Sequence, residues 1–304
     1  MKKYLLHIVL FFMIVAVVDF GFGQLCEVLS AHARGGIMKE VRQIAKEQEA
    51  EVVVMGSSRA HHHYVPSVLT DSLGMTAHNA GVDGNGIVLA TGLYHLMTER
   101  YQPKVIIYDM TTGYDIYVSD DDGNDTRYLG FLRPYFADDD VKKIVTRIDP
   151  MERYKNYSTM FRYNSKIVHL LKDQVVVGGF RQDGYSPLYG ELNEGRVVVP
   201  SDPPPVDSLK YQMLEEFVAQ VKGNNTHLVV VLSPFLGITS SEAFNPMREI
   251  CERNGIEFWD YYCDPRFQRP DYFKDGSHMN DKGAMEFTKV VAERLKELRV
   301  ESLQ

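Results

Sequence analysis

Apolar positions come in runs of different length along the chain, and each length predicts a different element. The longest run opens the sequence: Leu5 to Val18, broken only by His7, then Asp19, then Phe20 to Leu25. Roughly 17–25 mostly apolar residues are enough to span a bilayer, so residues 1–25 read as a membrane anchor or a signal segment. A cleaved signal needs a short apolar core and a small-residue site close behind it. Ala31-His32-Ala33 has the right form but lies far past the core, which favours the anchor over secretion after cleavage. Lys2 and Lys3 stay cytoplasmic by the positive-inside rule. An inner-membrane anchor then leaves the rest of the chain facing the periplasm or cell exterior.

The shorter runs have a different rhythm. Glu51–Met55, Met75–His78, Val105–Tyr108, Leu228–Leu232 and Ile256–Trp259 each predict a short buried strand. Between them the spacing turns helical. Met38, Val41 and Ile44 mark a first helix within a stalk over residues 26–50, and Leu89, Leu93 and Leu96 mark a second. Pro246–Arg253 and Asp281–Leu298 are two more, the last with Ala284, Phe287, Val291, Leu295 and Leu298 on one face. Strands alternating with helices predict an α/β fold over residues 51–304: a three-layer α/β/α arrangement of a mostly parallel five-stranded sheet. In such sheets ligands bind beyond the carboxyl ends of the strands.

The stretch from about 113 to 205 breaks this rhythm and reads as an insertion or cap. Its acidic run Asp120–Asp122 lacks the spaced pattern of an EF-hand and reads as a solvated loop rather than a calcium loop. Pro203-Pro204-Pro205 reads as a stiff return to the core. Tyr157, Arg162 and Tyr163 form either a sugar-stacking surface or the core of the cap.

Composition narrows the function classes. With 44% hydrophobic and 24% charged residues, the chain is of ordinary globular type. The net charge of -8 argues against nucleic acid as a partner, because phosphate neutralisation needs a basic face. Cys251 and Cys263 either pair in an oxidising compartment or stay as buried thiols, and they lack the C-x-x-C spacing of a zinc site. Cys26 follows Leu25, where lipid attachment expects a small residue. Neither a metal nor a cofactor is expected.

Three segments carry candidate chemistry. Gly56-Ser57-Ser58 follows the first strand, and a turn there exposes a serine hydroxyl above the sheet edge at the start of a helix. Asp275-Gly276-Ser277-His278 precedes the last helix. An Asp three residues before a His can reach Nδ1 and leave Nε2 free for a serine. Asn79-Ala80-Gly81-Val82-Asp83-Gly84 is a glycine-rich turn whose N–H groups can approach an oxyanion.

In this order and spacing, the three segments resemble the blocks of the SGNH/GDSL hydrolase superfamily. The resemblance covers about 51–108 and 227 to the end, and DGSHMNDKGA is its most specific part. It implies a flavodoxin-like three-layer fold and a triad of Ser58, His278 and Asp275. It also implies an oxyanion hole from Ser58 and Gly84. The chain departs from the family at two positions. Ser57 stands where the family has Asp, and the third-block asparagine is missing, with Thr112 falling nearest its place. Loss of one oxyanion donor costs about 2.7–4 kcal/mol of transition-state stabilisation.

With the N-terminal anchor, these departures look similar to the membrane-tethered SGNH-like proteins that assist O-acylation of cell-surface polymers. The similarity implies an esterase or O-acyltransferase working on an acylated extracytoplasmic glycan or a small ester, with a membrane acyl-transfer protein as a possible partner. A non-catalytic binding or assembly component is the alternative. Arg59 is a candidate for substrate binding or for an ion pair with Asp83 or Asp109. Asn85 and His61 are further candidate substrate contacts. His61, His62 and His63 cannot all ligate one ion, because consecutive helical residues point about 100° apart.

Overall fold

The computed structural model describes residues 2–118, 126–164, 166–175, 183–192 and 203–301. The acidic run Asp120–Asp122 lies outside them. Along the chain come α1 (Lys2–Ala31), α2 (Ile37–Lys46), β1 (Val52–Gly56), α3 (Ser58–His63), α4 (Pro66–Leu73), β2 (Ala77–Gly81), α5 (Ile87–Thr98), β3 (Val105–Asp109) and α6 (Thr112–Asp115). Then come α7 (Thr126–Leu132), α8 (Asp139–Ile148), α9 (Glu152–Lys155), α10 (Ile167–Lys172), α11 (Ser208–Gly223), β4 (His227–Leu232), α12 (Asn245–Asn254), β5 (Glu257–Asp260) and α13 (Asp281–Glu301). The chain forms two compact units: residues 1–43 with 124–179, and residues 44–123 with 180–304.

The second unit is built on a five-stranded parallel sheet of order β2-β1-β3-β4-β5. Its β-branched strands are buried on both sides, and alternate residues separate by face. Val52, Val54, Val105, Ile107, Val229, Val231 and Trp259 share one core with Tyr64 and Leu69 of α3–α4 and with Phe287, Val291 and Leu295 of α13. On the opposite face Tyr108 meets Phe217 of α11, with ring centroids 5.3 Å apart, and Phe217 in turn meets Tyr94 of α5 at 5.4 Å. Helices therefore cover both faces, giving the α/β/α layering that the alternating pattern predicts.

Two elements differ from the expectation. β2 begins later than Met75 and continues through Asn79 to Gly81, because parallel pairing with β1 runs to Gly56↔Gly81. The buried Asn79 is no turn residue. Its amide donates to the carbonyls of Ala60 and Tyr64 at 2.7 and 2.9 Å, satisfying the end of α3. The second is α11, a helix of 16 residues that lies outside the elements expected from the pattern. Asp207 caps its first turn, accepting from the N–H of Leu209 and Lys210. Ahead of α11, the Val118 N–H donates to Pro205 O at 3.0 Å. Tyr117 and Val206 pair there as an antiparallel bridge.

In the first unit, α1 is exposed from residue 2 to residue 18. Beyond that it is packed. The Asp19 carboxylate accepts from Ser158 Oγ and from the N–H groups of Thr159 (2.7 Å) and Met160 (3.3 Å). A Cβ on Gly23 would overlap the Thr159 side chain. Tyr163 donates to Glu27 at 2.6 Å, and Gln174 donates to Leu29 O at 2.8 Å. Arg133 and Glu152 form a two-pronged pair, both contacts 2.8 Å, in the core of the helical segment.

The sharpest local constraint lies at the end of β1. Gly56 has φ 140°, which side-chain-bearing residues rarely adopt, and a Cβ there would overlap the Asp109 carbonyl of β3. Gly56→Ala is expected to lower stability by about 2 kcal/mol or more, read from the urea midpoint. An unchanged midpoint would show that the chain can leave β1 by another path.

Candidate active site

In a sheet of order 2-1-3-4-5 the crossover direction reverses between β1 and β3, and ligands bind above that switch point. Ser58 stands there, as the first residue of α3, immediately after the turn at Gly56-Ser57. His278 Nε2 lies 2.8 Å from Ser58 Oγ. Its Nδ1 lies 2.9 and 3.0 Å from the two oxygens of Asp275. The structure thus brings together the three residues of the predicted triad.

The loop bearing His278 is braced from several sides. Asp275 Oδ1 accepts from the N–H groups of Ser277 and His278, both at 2.9 Å, and from Ser277 Oγ at 3.0 Å. Burial pushes the Asp275 carboxyl up, but hydrogen bonds from His278 and Ser277 together outweigh it and hold the pKa below the ordinary value. Asp275 therefore stays anionic where a base-orienting group must. The Met279 N–H donates to His63 Nε2 at 2.9 Å, so Nδ1 carries the proton of His63 and donates to Ser233 Oγ at 2.9 Å. Full burial, with Arg59 nearby, drives the His63 pKa well down and keeps it neutral. His63 is thus a positioning residue for the residue next to His278. Sequence reasoning missed this, because the partner lies 216 residues away.

A pocket of about 220 Å³ opens beside Ser58 and His278. Tyr114, Phe235, Phe244 and Tyr262 form its aromatic wall, and Thr111, Thr112 and Ser277 supply hydroxyls. Gly56 pairs with Asp109, so the loop bearing Thr111 and Thr112 leaves β3 at the height where β1 ends. Both line the pocket.

The remaining predicted residues fall in different places. Arg59 lines the pocket but is buried, and its guanidinium is tied down. It donates to Met110 O and, at 3.4 Å, to Ser233 O, and lies 3.6 Å from Asp109 and 5.2 Å from the Tyr262 ring centre. Of the two roles expected for Arg59, the ion pair with Asp109 is the one these contacts describe. Gly84, Asn85 and His61 are not among the residues lining the pocket. Asn85 is buried and donates to Asp83 O at 2.8 Å.

His61 Nδ1 lies 2.8 Å from Asp83 Oδ1, and His62 Nε2 lies 3.4 Å from the same oxygen. His62 Nδ1 donates to Ser186 O at 2.6 Å, and its ring meets the His278 ring edge-on at 5.6 Å. Burial pulls the His62 pKa down, but Asp83 and the Ser186 carbonyl outweigh it and raise it. The ligand atoms of His61, His62 and Asp83 lie within 4.8 Å of one another, close enough to hold a cation. The two imidazoles are stacked at 27°, however, so their in-plane lone pairs run nearly parallel rather than converging on a point.

Beneath the pocket, the buried Asp115 ties two strand-end loops together. It accepts from the Thr111 N–H (2.6 Å), the Ile87 N–H (2.8 Å) and the Tyr108 hydroxyl (2.7 Å). A Cβ on Gly86 would sit 2.6 Å from the Asp115 carboxylate and from Tyr114, so the approach of these loops needs glycine there.

Comparison with known proteins adds little to this geometry. No family model and no curated protein matches the chain. Among solved structures, the chain is similar to a candidate acylhydrolase from Bacteroides fragilis at 13% identity and a TM-score of 0.41, over 88% of this chain and 98% of that one.

Burial pushes the Asp115 pKa up to about 6, against its hydrogen bonds. A carboxyl whose folded pKa exceeds its unfolded value binds its proton more tightly in the folded state. Its contribution to stability is therefore full below the unfolded value near 3.8 and is lost as pH rises through about 6. Over that window, wild-type stability is expected to fall more steeply with pH than that of Asp115→Asn, measured by urea unfolding at each pH. Parallel profiles would contradict the assignment.

Proposed function

We propose that the protein is an SGNH-type serine esterase or O-acyltransferase. The observation that carries this reading is the 2.8 Å contact between His278 Nε2 and Ser58 Oγ, with Nδ1 of the same ring on Asp275. Ser58 Oγ attacks an ester carbonyl as His278 Nε2 takes its proton. Asp275 orients the ring and balances the imidazolium that forms. The tetrahedral oxyanion draws on the Ser58 N–H, which begins a helix and has no partner within it. Thr111 and Thr112 supply hydroxyls where the family uses asparagine. Collapse expels the alcohol, protonated by His278, and leaves an acyl-Ser58. Water then completes an esterase cycle, and a sugar hydroxyl completes a transferase cycle.

The pocket of about 220 Å³ suits a small acyl group with part of its alcohol rather than a long chain. Four aromatic walls suit the apolar face of a sugar. An acylated extracytoplasmic glycan is therefore the substrate class. The site faces the periplasm or cell exterior if α1 anchors the chain with Lys2 and Lys3 inside. Packing supports a retained anchor over a cleaved signal: Gly23, Cys26 and Ser30 of α1 are buried, and Asp19 and Glu27 are hydrogen-bonded to the helical segment. A membrane acyl-transfer protein would be the donor's source in the transferase cycle. The substitution of threonines for asparagine favours the second reading, a non-catalytic glycan-binding component.

A fluorophosphonate probe is expected to label the purified full chain, and Ser58→Ala to abolish labelling. Asp275→Asn should slow turnover of an acetyl ester on the order of 10³–10⁴-fold. A folded protein that neither labels nor turns over would favour the binding reading.

A further inference from the structure

We infer that the turn carrying Tyr154, Tyr157 and Met160 is a membrane-interface collar around α1, seated in the headgroup layer of the bilayer that α1 spans. The inference rests on the anchor reading of α1 and adds a second, folded contact with lipid.

The lipid-exposed part of α1 and the bilayer differ in length. Residues 2–18 of α1 are exposed all round, and apart from Lys2, Lys3 and His7 they are apolar or aromatic. A helix apolar on every side and packed on none belongs in lipid. Asp19 ends this stretch only sixteen residues after Lys3, about 24 Å along the axis. The hydrocarbon core is about 30 Å thick. The lysine stems reach several ångströms out to one headgroup layer, so Asp19 falls at the inner edge of the other. A lone carboxylate at that depth is costly.

The turn 158–160 resolves that cost. Its Ser158 hydroxyl and two of its N–H groups donate to the Asp19 carboxylate, and Thr159 Oγ1 donates to the Asp19 carbonyl at 2.8 Å. The turn is therefore held at the depth of Asp19, where the all-round exposure of α1 gives way to a helix packed on one face. The residues that flank it match that depth. Tyr157 is 79% exposed, Tyr154 62% and Met160 44%. Tyrosine presents an apolar ring with a polar tip and concentrates at membrane–water interfaces. Arg153, exposed one residue before Tyr154, adds a cation on the same turn suited to lipid phosphates. A bilayer, rather than a protein, is the occupant because this turn is hydrogen-bonded to Asp19, the residue at which the all-round exposure of α1 ends.

The test uses the full chain in phosphatidylcholine–phosphatidylglycerol vesicles. An environment-sensitive NBD label is placed by Tyr157→Cys and, separately, by Phe11→Cys, with the unsubstituted chain as the labelling background. Nitroxide lipids carry the quencher either near the headgroup end of the acyl chain or deep within it. The expected result is blue-shifted emission at position 157, lost more to the shallow quencher, and emission at position 11, lost more to the deep one. A label at 157 with aqueous emission, beside a quenched label at 11, would overturn the collar and leave the anchor standing. Blue-shifted but unquenched emission at 157 would assign the face to a protein and overturn the collar. An unquenched label at 11 would overturn the anchor and the collar with it.

Discussion

The end of β1 is the point from which the rest of the site hangs. Gly56 must approach the Asp109 carbonyl more closely than any side chain allows, with a φ of 140°. That approach lets the chain turn abruptly out of the sheet and start α3 at Ser58. The parallel register then does the remaining alignment. Gly56 lies level with Gly81 on one side and Asp109 on the other, so the three following loops begin at one height. That common height forms a tier, which Asp115 and Asn79 brace, one accepting from two loops and the other closing α3.

Across this tier, the loop before α13 delivers His278. Its placement depends on polar contacts that converge from distant parts of the chain. His63, at the end of α3, holds the N–H of Met279, and the Leu236 N–H donates to Gly276 O at 3.0 Å. The buried Arg59 spans the carbonyls of Met110 and Ser233 and faces Asp109, cross-linking the ends of β3 and β4. An arginine beside a candidate nucleophile invites a substrate role, but burial and these partners tie this one into the frame. Its removal would take the positive charge from beside the buried Asp109 and leave it the Tyr64 hydroxyl, at 2.6 Å, among its partners, which is costly.

Much of this was legible in the sequence. The β-branched runs of β1, β3 and β4 are the clearest, because strands buried on both faces leave no polar alternation to confuse the pattern. The Asp275–His278 spacing is local, so a turn alone brings carboxylate to imidazole. The parts that sequence reasoning missed depend on partners far away in the chain. Asn79 looks like a turn residue until α3 packs above it. His63 looks like its two neighbours until Met279 arrives to fix its tautomer. That Thr111 joins Thr112 at the pocket comes from the path of the loop after β3, which the strand's own sequence does not contain. The helix over Ser208–Gly223 is a different matter: Met213, Leu214, Phe217, Val218 and Val221 have helical spacing behind an Asp207 cap, and the signal was present.

The central claim is that Ser58 carries an acyl group between two alcohols or between an alcohol and water. Trapping that intermediate is the most direct measurement. The full chain would be mixed with an activated acetyl ester, quenched in acid during turnover, digested and analysed by peptide mass spectrometry. The account predicts an acetyl increment on the peptide bearing Ser58, at the serine itself, which builds up further in a variant whose second half-reaction is slowed. Turnover with no acylated Ser58, or an acetyl group on another side chain, would contradict it.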